Sequence, residues 1–246
     1  MRRFFTEPDQ IRDGRVWITG EDVRHIRQVL RMVPGDELRV CCGDEWEYTC
    51  RISVIEEDRV EAEILDAQKP GKELPSRISL FQCLPKGDKM ELIIQKAVEL
   101  GAAEIVPVAS SRCVVRLDAK KAANKGKRWN TIAAEAAKQS KRMVIPPVHE
   151  VMGWEKALEY AQSMDVRLIP YEKAEKMAKT RQLFSEIRPG QSVAVFIGPE
   201  GGFEEAEVEA AMKMGCSPIS LGKRILRTET AGMTVLSILM YLLEEE

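Results

Sequence analysis

The chain has 246 residues, of which 44% are hydrophobic and 31% are charged, and its formal net charge is −2. This length and composition indicate a globular protein that buries a sizeable core in one large or two modest domains. The first residues lack the pattern of a signal peptide, and the apolar run near the C-terminus is too short to span a bilayer. We therefore expect a soluble, cytoplasmic protein without a membrane partner.

Cysteine and histidine usage excludes several kinds of site. The six cysteines form no C-x-x-C pair, and the only histidines are His25 and His149. This pattern predicts reduced thiols, no metal site and no histidine-based acid–base chemistry. A nucleophilic hydrolase is also disfavoured, because the chain has no Gly-x-Ser-x-Gly motif.

The first 72 residues have the pattern of a small β-barrel-like domain. A helix over 21–31 is followed by a strand over 37–41 and by alternating apolar positions over 48–54. An acidic turn at 56–58 then precedes a return strand over 60–64. The segment 68–75, which combines prolines and a glycine with charges, is the predicted linker.

After the linker, predicted strands and helices alternate, which favours a mainly parallel sheet covered by helices. The predicted strands span 78–84, 104–108, 166–170, 192–197 and 217–221. The predicted helices span 88–100, 127–142, 154–164, 172–187, 204 onward and 232–243. Met90, Ile93, Ile94, Ala97 and Leu100 form one stripe of the first of these helices and are predicted to face the sheet.

Two loops follow the last two strands of this pattern. The first, Gly198-Pro-Glu-Gly-Gly202, precedes an acid-rich helix, and the second runs from Gly222 to Ala231 with Arg, Thr and Glu residues. Such loops meet at the carboxyl edge of an open α/β sheet, so they predict a pocket. Its acids would repel a phosphate, which favours a ligand that is not strongly anionic. The alternative is a plain strand–helix connection whose acids complement the helix dipole.

The segment 110–142 concentrates positive charge. It contains ten basic residues against the two acids Asp118 and Glu135. This imbalance favours contact with a polyanion over a merely solvated helix face. Lys86 and Lys89 extend the run. Near the N-terminus, Arg2, Arg3 and Phe4 combine cations with a ring that is able to stack on a base, although Phe4 is equally consistent with a core position.

The last predicted helix is apolar around most of its circumference. This is more apolar surface than one sheet contact uses, so we expect part of it to meet another chain, with simple burial as the alternative.

The two loops together resemble the paired signature of a known family. Ile197-Gly-Pro-Glu-Gly-Gly202 and Leu221-Gly-Lys-Arg-Ile-Leu-Arg-Thr-Glu-Thr-Ala231 are similar to motifs of the RsmE family, SPOUT-class enzymes that methylate N3 of a uridine in 16S rRNA. The resemblance covers nearly the whole chain. It continues through 3–5, 29–36, 86–91, 96–101, 105–107, 111–112 and 133–142. One departure is Lys138, where the family favours Glu before Gln139.

The resemblance implies an α/β chain with a PUA-like β-barrel domain over 1–72 and a SPOUT methyltransferase domain over 73–246 that carries a C-terminal trefoil knot. It also implies S-adenosylmethionine as cofactor, 16S rRNA or the assembled small ribosomal subunit as partner, and a homodimer. The alternative to a methyltransferase is a ribosome-associated RNA-binding protein, whose pocket is vestigial or binds adenosine without catalysing a reaction. A hydride-transferring enzyme is disfavoured because Gly-x-Gly-x-x-Gly is missing.

The loops, the charge pattern and the resemblance together give three groups of candidate site residues. The candidate catalytic residues are Arg227, for anion stabilisation or for orienting the base, and Glu229, as the base or as the partner that orients Arg227. The alternative for Glu229 is that it only complements the dipole of the last helix. The candidate cofactor-binding residues are Ile197, Gly198, Pro199, Glu200, Gly201, Gly202, Leu221, Gly222, Ile225, Leu226, Arg227, Thr228, Thr230 and Ala231. The candidate RNA-binding residues are Arg2, Arg3, Phe4, Arg31, Lys86, Lys89, Arg112, Gln139, Lys141 and Arg142.

Overall fold

The computed structural model describes residues 2–43, 46–69, 71–174 and 177–244. The chain divides into two compact units, the first formed by Met1–Glu73 with Ala137–Ile145 and the second by Leu74–Ala136 with Pro146–Glu246. The sequence pattern did not indicate that 137–145 would pack with the first unit. The domain boundary between residues 72 and 73 stays a prediction.

The first unit is a mostly antiparallel sheet of six strands in the order β1-β4-β5-β6-β3-β2. Only the pairing of β1 with β4 is parallel. The strands are β1 (Arg2–Phe5), β2 (Ile11–Arg12), β3 (Arg15–Thr19), β4 (Glu37–Cys41), β5 (Glu47–Ile55) and β6 (Arg59–Gln68). A short helix α1 (Glu21–Arg24) continues as a π-helical turn, His25–Val29. Register shifts between β5 and β6 mark bulges, which bend a sheet.

The core of this unit contains Phe4, which corrects one of the RNA-binding predictions. Phe4 is only 2% exposed and packs with Val16, Leu38 and Val40. Because alternate side chains of a strand point to opposite faces, the inward face of β1 carries this ring into the apolar core. Phe4 therefore has no free ring face for a nucleobase, and the core alternative holds.

Two arginines predicted to contact RNA are also used within the first unit. The guanidinium of Arg3 pairs with the buried Glu47 and donates to the carbonyl of Arg142. Arg142 is itself buried, and its Nε and Nη2 lie 2.8 and 2.5 Å from Glu73 Oε2. Both predictions are wrong as phosphate contacts, because desolvated charges in proteins are held by opposite charges and not by an external polyanion.

The second unit contains a parallel sheet in the order β12-β10-β11-β7-β8-β9. Its strands are β7 (Arg77–Cys83), β8 (Glu104–Ala109), β9 (Met152–Gly153), β10 (Val166–Pro170), β11 (Ser192–Ile197) and β12 (Ser217–Ile219). The helices are α2 (Lys89–Glu99), α3 (Ala119–Ser140), α4 (Trp154–Ala161), α5 (Met177–Glu186), α6 (Glu205–Lys213) and α7 (Thr228–Leu243). The alternating pattern of the sequence thus predicted the parallel sheet.

Three helix bounds differ from the prediction. Helix α3 begins at Ala119, well before residue 127, because its first turns are rich in alanine and lysine, which favour helix over loop. Its last residues, 137–140, belong to the first unit. Helix α5 begins later than predicted, at Met177. Helix α7 begins at Thr228 and not at Gly232, so Thr228 to Ala231 form its first turn and do not belong to the preceding loop.

Apolar side chains on both faces of β7 and β11 form the core of the second unit. Phe81 and Phe196 stack with ring centroids 4.4 Å apart, and Trp154 meets Phe196 edge to face. The predicted stripe of α2 is buried at Met90, Ile93, Ile94 and Ala97, whereas Leu100, the C-cap residue, is only half-buried. Buried strands on both faces require near-continuous apolar sequence, which β7, β8 and β11 supply.

A buried polar cluster lies at the amino end of β8. The carboxylate of Glu104 accepts hydrogen bonds from Ser79 Oγ at 2.6 Å, His149 Nε2 at 2.8 Å and Tyr160 Oη at 2.9 Å. Burial alone would raise the pKa of this carboxyl, but these donors and the nearby Arg77 outweigh burial and lower the pKa to about 2. Glu104 is therefore a charged group inside the fold. It lies at the first residue of β8, at the end of the strand opposite the carboxyl edge of the sheet.

Within the described residues, no helix is long and apolar enough to cross a membrane. Cys50, Cys83, Cys113 and Cys216 form no disulfide, and the described part of the chain contains no group of side chains that is able to hold a metal ion.

Candidate functional site

A cleft of about 870 Å³ opens at the carboxyl ends of β10, β11 and β12. Three loops form its walls: 170–173 after β10, 197–203 after β11 and 220–228 after β12. Because β10 lies between β11 and β12 in the sheet, the three loops necessarily meet at one edge. Lys89, Arg112 and Ala231 complete the lining.

Glycines keep the walls of this cleft open. Gly202 and Gly222 have φ angles of +68° and +105°, and an added Cβ at either position would meet nothing within 4 Å. Other residues rarely adopt this left-handed conformation, so the chain requires glycine at both turns. A ligand is thereby able to approach backbone N–H and C=O groups directly.

A buried hydroxyl joins the two signature loops. Thr228 Oγ1 donates to the carbonyl of Gly198 at 2.6 Å and accepts a hydrogen bond from Gln82 Nε2 at 2.9 Å. The side chain of Thr228 is therefore engaged within the protein. Its position fixes the start of α7 against the glycine loop and β7.

An ion-pair bridge joins the same elements at the rim. Lys89 Nζ, at the start of α2, lies 2.8 Å from Glu200 Oε1 and 3.6 Å from Glu229 Oε2. The hydrogen bond with Glu200 raises the pKa of Lys89. Partial burial alone would raise the pKa of Glu200, but the hydrogen bond from Lys89 outweighs it, together with backbone donors that include the Lys86 N–H, and lowers the pKa. Lys89 and Glu200 are therefore both charged near neutral pH.

The loop that follows β8 is fastened to the glycine loop. Arg112 Nη1 donates to the carbonyl of Gly201 at 3.0 Å, and the Ser111 N–H donates to Glu207 Oε1 at 2.8 Å. Glu207 Oε2 also accepts from the Glu204 N–H, closing a capping box at the start of α6. Arg112 is therefore part of the cleft wall.

Comparisons with known proteins agree over almost the entire chain. Residues 72–240 match the model of an RNA methyltransferase domain, and residues 18–65 match an RNA methyltransferase PUA domain. The chain is 39% identical to ribosomal RNA small subunit methyltransferase E of Bacillus subtilis strain 168, over 98% of this chain and 96% of that protein. The corresponding protein of Mesomycoplasma hyopneumoniae strain 232 is 36% identical, over 96% and 98%.

The chain belongs to the ribosomal RNA small subunit methyltransferase E family. A solved member of the family, from Neisseria gonorrhoeae and bound to S-adenosylmethionine, has 37% identity and a TM-score of 0.84, with 98% of each chain covered. The resemblance to the RsmE family inferred from the two loops is thus confirmed.

The structure brings together most of the residues predicted to bind the cofactor. The glycine loop 197–202, Leu221, Gly222, Ile225, Leu226, Arg227, Thr228 and Ala231 all line the cleft. Thr230 does not line it and is exposed, and its carbonyl accepts from Thr234. The N-cap residue of α7 is Arg227, and no side chain caps this helix.

The two candidate catalytic residues occupy different positions in this family member. Arg227 is exposed and lines the cleft. Glu229 lies two residues later, in the first turn of α7, and is not among the described lining residues. The Oε2 atom of Glu229 is buried and lies 3.6 Å from the Lys89 ammonium, with no shorter hydrogen bond among the described residues.

The candidate RNA-binding residues are not one cluster. Arg2, Arg31, Gln139 and Lys141 are exposed in the first unit, and Lys86 is exposed in the second. Lys138, the departure from the family pattern, pairs with Asp22 Oδ1 at 2.9 Å. Lys89 and Arg112 belong to the cleft, as described above.

The loop after β10, residues 170–173, is the part of the site that sequence reasoning missed. The preceding strand was predicted, but the pairing order that inserts it between β11 and β12 was not. A parallel strand ending in Pro170 was the available signal, because every carboxyl end of a parallel sheet lies on the same edge.

Proposed function

We propose that this chain transfers a methyl group from S-adenosylmethionine to N3 of a uridine in 16S rRNA of the small ribosomal subunit. The observation that carries the proposal is the glycine-walled cleft at the carboxyl edge of the parallel sheet, built from the two loops that the family shares. A cleft of this size is in the range of cofactor sites.

The residues around the cleft fit the cofactor. Backbone groups of 197–202 and 221–227 would hold its adenine, ribose and methionine parts, because Gly202 and Gly222 leave room for close approach. The acids of the glycine loop suit a ligand without phosphate, and the ligand would be cationic at sulfur. When bound, S-adenosylmethionine supplies an electrophilic methyl group.

The protein's own part of the reaction concerns the uridine proton. N3 must lose its proton before its lone pair is able to form the new N–C bond, and the developing anion needs stabilisation. Arg227, exposed in the cleft, would stabilise that anion. Glu229 would accept the proton or orient Arg227, and its place in the first turn of α7, two residues after Arg227, supports such a role.

RNA would bind through exposed cations outside the buried ion pairs. Arg2, Arg31, Lys86 and Lys141 would contact phosphates, since their side chains face solvent. Arg3, Phe4 and Arg142 are removed from this set. The ribosomal substrate implies a cytoplasmic site of action.

Three features of organisation complete the proposal. The first is a PUA-like barrel over 1–72 and a SPOUT domain over 73–246. The second is a trefoil knot in the C-terminal segment, which is supported by family membership and by the packing of 220–228 beside 197–203 in one cleft. The third is a homodimer formed through α7, whose residue Tyr241 is 81% exposed.

The test is methyl transfer to small-subunit RNA from a strain that lacks the gene, with mass spectrometry of the modified nucleoside. Gly201→Val should abolish S-adenosylmethionine binding with the fold intact, because its Cβ would lie 3.5 Å from Arg112, in ordinary contact, while its methyl groups enter the cleft. Gly153→Val is the matched control, since Gly153 is extended and open and is not among the described lining residues of the cleft. Binding without methyl transfer by the wild type would favour the non-catalytic alternative.

A further inference from the structure

Lys89 is the only cleft-lining residue of α2, and sequence reasoning grouped it with the RNA contacts. Its ammonium is instead held between two carboxylates, at 2.8 Å from Glu200 and 3.6 Å from Glu229. A cation that already faces two acids gains little from a phosphate, because the phosphate would have to displace them. Contact with RNA therefore does not explain its position.

The Lys89 ion-pair bridge connects three elements whose positions relative to one another determine the geometry of the site. Glu200 belongs to the glycine loop after β11, Glu229 to the first turn of α7, and Lys89 to the first turn of α2. The second link between glycine loop and α7, through Thr228, is buried and fixes backbone only. The Lys89 bridge is the link that acts on the carboxylate of Glu229.

No charged side chain recorded on the neighbouring elements takes the place of Lys89 beside Glu229. On α2 and α3, Arg128 pairs with Glu91 and Lys125 lies 4.0 Å from Asp88. Among the described residues, Lys89 is the one cation recorded within ion-pair distance of Glu229.

We propose that Lys89 is a positioning residue, which holds the Glu229 carboxylate in place for methyl transfer and ties it to the glycine loop. The proposal rests on the proposed function. Misplacing a group at a reaction centre by a fraction of an ångström to an ångström costs rate more than binding, on the order of tenfold to a hundredfold. Lys89→Met keeps the aliphatic stem but removes the cation, so it isolates this role.

The experiment compares Lys89→Met, Lys89→Arg, Glu229→Gln and the double variant Lys89→Met/Glu229→Gln. Lys96→Met is the matched control, because Lys96 lies on the same helix and pairs with one acid, Glu99 at 2.8 Å, at the opposite end. Three quantities are measured: the Kd for S-adenosylmethionine by calorimetry, the salt dependence of RNA affinity, and the single-turnover rate with both ligands saturating.

We expect Lys89→Met to lower the single-turnover rate about tenfold, with the Kd and the salt dependence close to wild type. Lys89→Arg should restore most of the rate, since it retains the cation. The double variant should be no slower than Glu229→Gln alone, because two residues that act as a unit do not add.

Other results separate the possible failures. An unchanged rate in Lys89→Met, or losses that multiply in the double variant, would overturn the inference. If Lys89→Met reduced the slope of log RNA affinity against log salt by about 0.7 to 0.9, Lys89 would be an RNA contact, and the inference would be overturned as well. If Glu200→Gln alone reproduced the whole rate loss, the bridge would act through the glycine loop and not through Glu229. A wild-type chain that transfers no methyl group would instead overturn the proposed function.

Discussion

The carboxylate of Glu229 is consistent with two roles. Its place in the first turn of α7 lets it complement the helix dipole, while its proximity to Arg227 and its pairing with Lys89 fit a part in the reaction. The first role predicts a contribution to stability only. The second predicts a contribution to the transfer of the uridine proton.

Glu229→Gln separates these roles, because it removes the charge at nearly constant volume. If Glu229 acts in proton transfer, the single-turnover rate falls by on the order of a hundredfold or more, with cofactor and RNA affinities unchanged. Glu244→Gln, at the opposite end of the same helix, is the control. A rate within a few-fold of wild type, accompanied by a lower melting temperature, would leave Arg227 as the residue to test.

Glu104 makes the stability of the second unit sensitive to acid. Its carboxyl pKa is about 2 in the folded protein and about 4.5 when unperturbed, so the unfolded chain binds this proton more readily. The stabilisation is therefore complete above about pH 4.5 and is lost as the pH falls through about 2, with a ceiling of about 3 kcal/mol.

Glu104→Gln should remove this part of the pH dependence. Urea unfolding followed at several values between about pH 5 and about pH 3 should show a free energy of unfolding that falls less with acid in Glu104→Gln than in wild type. The variant should also be less stable near neutral pH, because three donors then face a neutral amide. Glu150→Gln, which alters an exposed carboxyl, is the control. Parallel pH curves for wild type and Glu104→Gln would contradict the assignment.

At the scale of elements, periodicity predicted the strands and helices of the second unit, and glycine chemistry predicted the cleft. These signals are local, since apolar spacing and turn residues depend on near neighbours. The burial of Phe4 and the ion pairs of Arg3 and Arg142 depend instead on contacts between residues that are far apart in sequence. Arg142 is buried against Glu73, 69 residues away, and no local pattern identifies such a partner.

The first residue of α7 is a second feature that local sequence patterns did not predict. Helix propensity over 228–231 is modest, with two threonines, and the loop motif obscured the boundary. The tertiary hydrogen bonds of Thr228 to Gly198 and Gln82 fix the first turn there. Tertiary context therefore decided which motif residues line the cleft and which, such as Thr230, do not.

Two of the exposed cations that we propose as RNA contacts lie close to helix ends in the first unit. Arg31 and Lys141 have φ angles of +53° and +61° directly after helical segments. Asparagine tolerates this left-handed conformation better than alanine does, so Arg31→Asn and Lys141→Asn remove charge with little backbone strain.

Each of these substitutions should reduce the slope of log affinity against log salt by about 0.7 to 0.9 if the residue contacts a phosphate. Affinities for a small-subunit RNA fragment, measured across a salt series, provide the slopes. Lys156→Asn, an exposed cation of α4, should leave the slope unchanged. Wild-type slopes in both Asn variants would indicate that these helix ends are merely solvated.

At the scale of the whole molecule, α7 carries the surface that we propose for dimerisation. One side of the helix is buried through Val235, Leu236, Leu239 and Leu243, whereas Tyr241 and Leu242 are 81% and 44% exposed. An apolar helix that is only partly covered by its own unit favours contact with another chain. The family's dimer, implied by sequence, would use this surface.

We expect light scattering to give twice the mass of one chain for wild type and the mass of one chain for Tyr241→Glu, because a carboxylate in a dimer contact would lose its hydration without a partner. Met212→Glu is the matched control, since Met212 is also apolar and 50% exposed but lies on α6. If the dimer completes the cleft, S-adenosylmethionine affinity should fall together with dimer content in Tyr241→Glu and should recover at high protein concentration, because association follows mass action. A wild type that stays at the mass of one chain at all concentrations would remove the dimer from the proposal, while a dimeric Tyr241→Glu would place the interface on another surface.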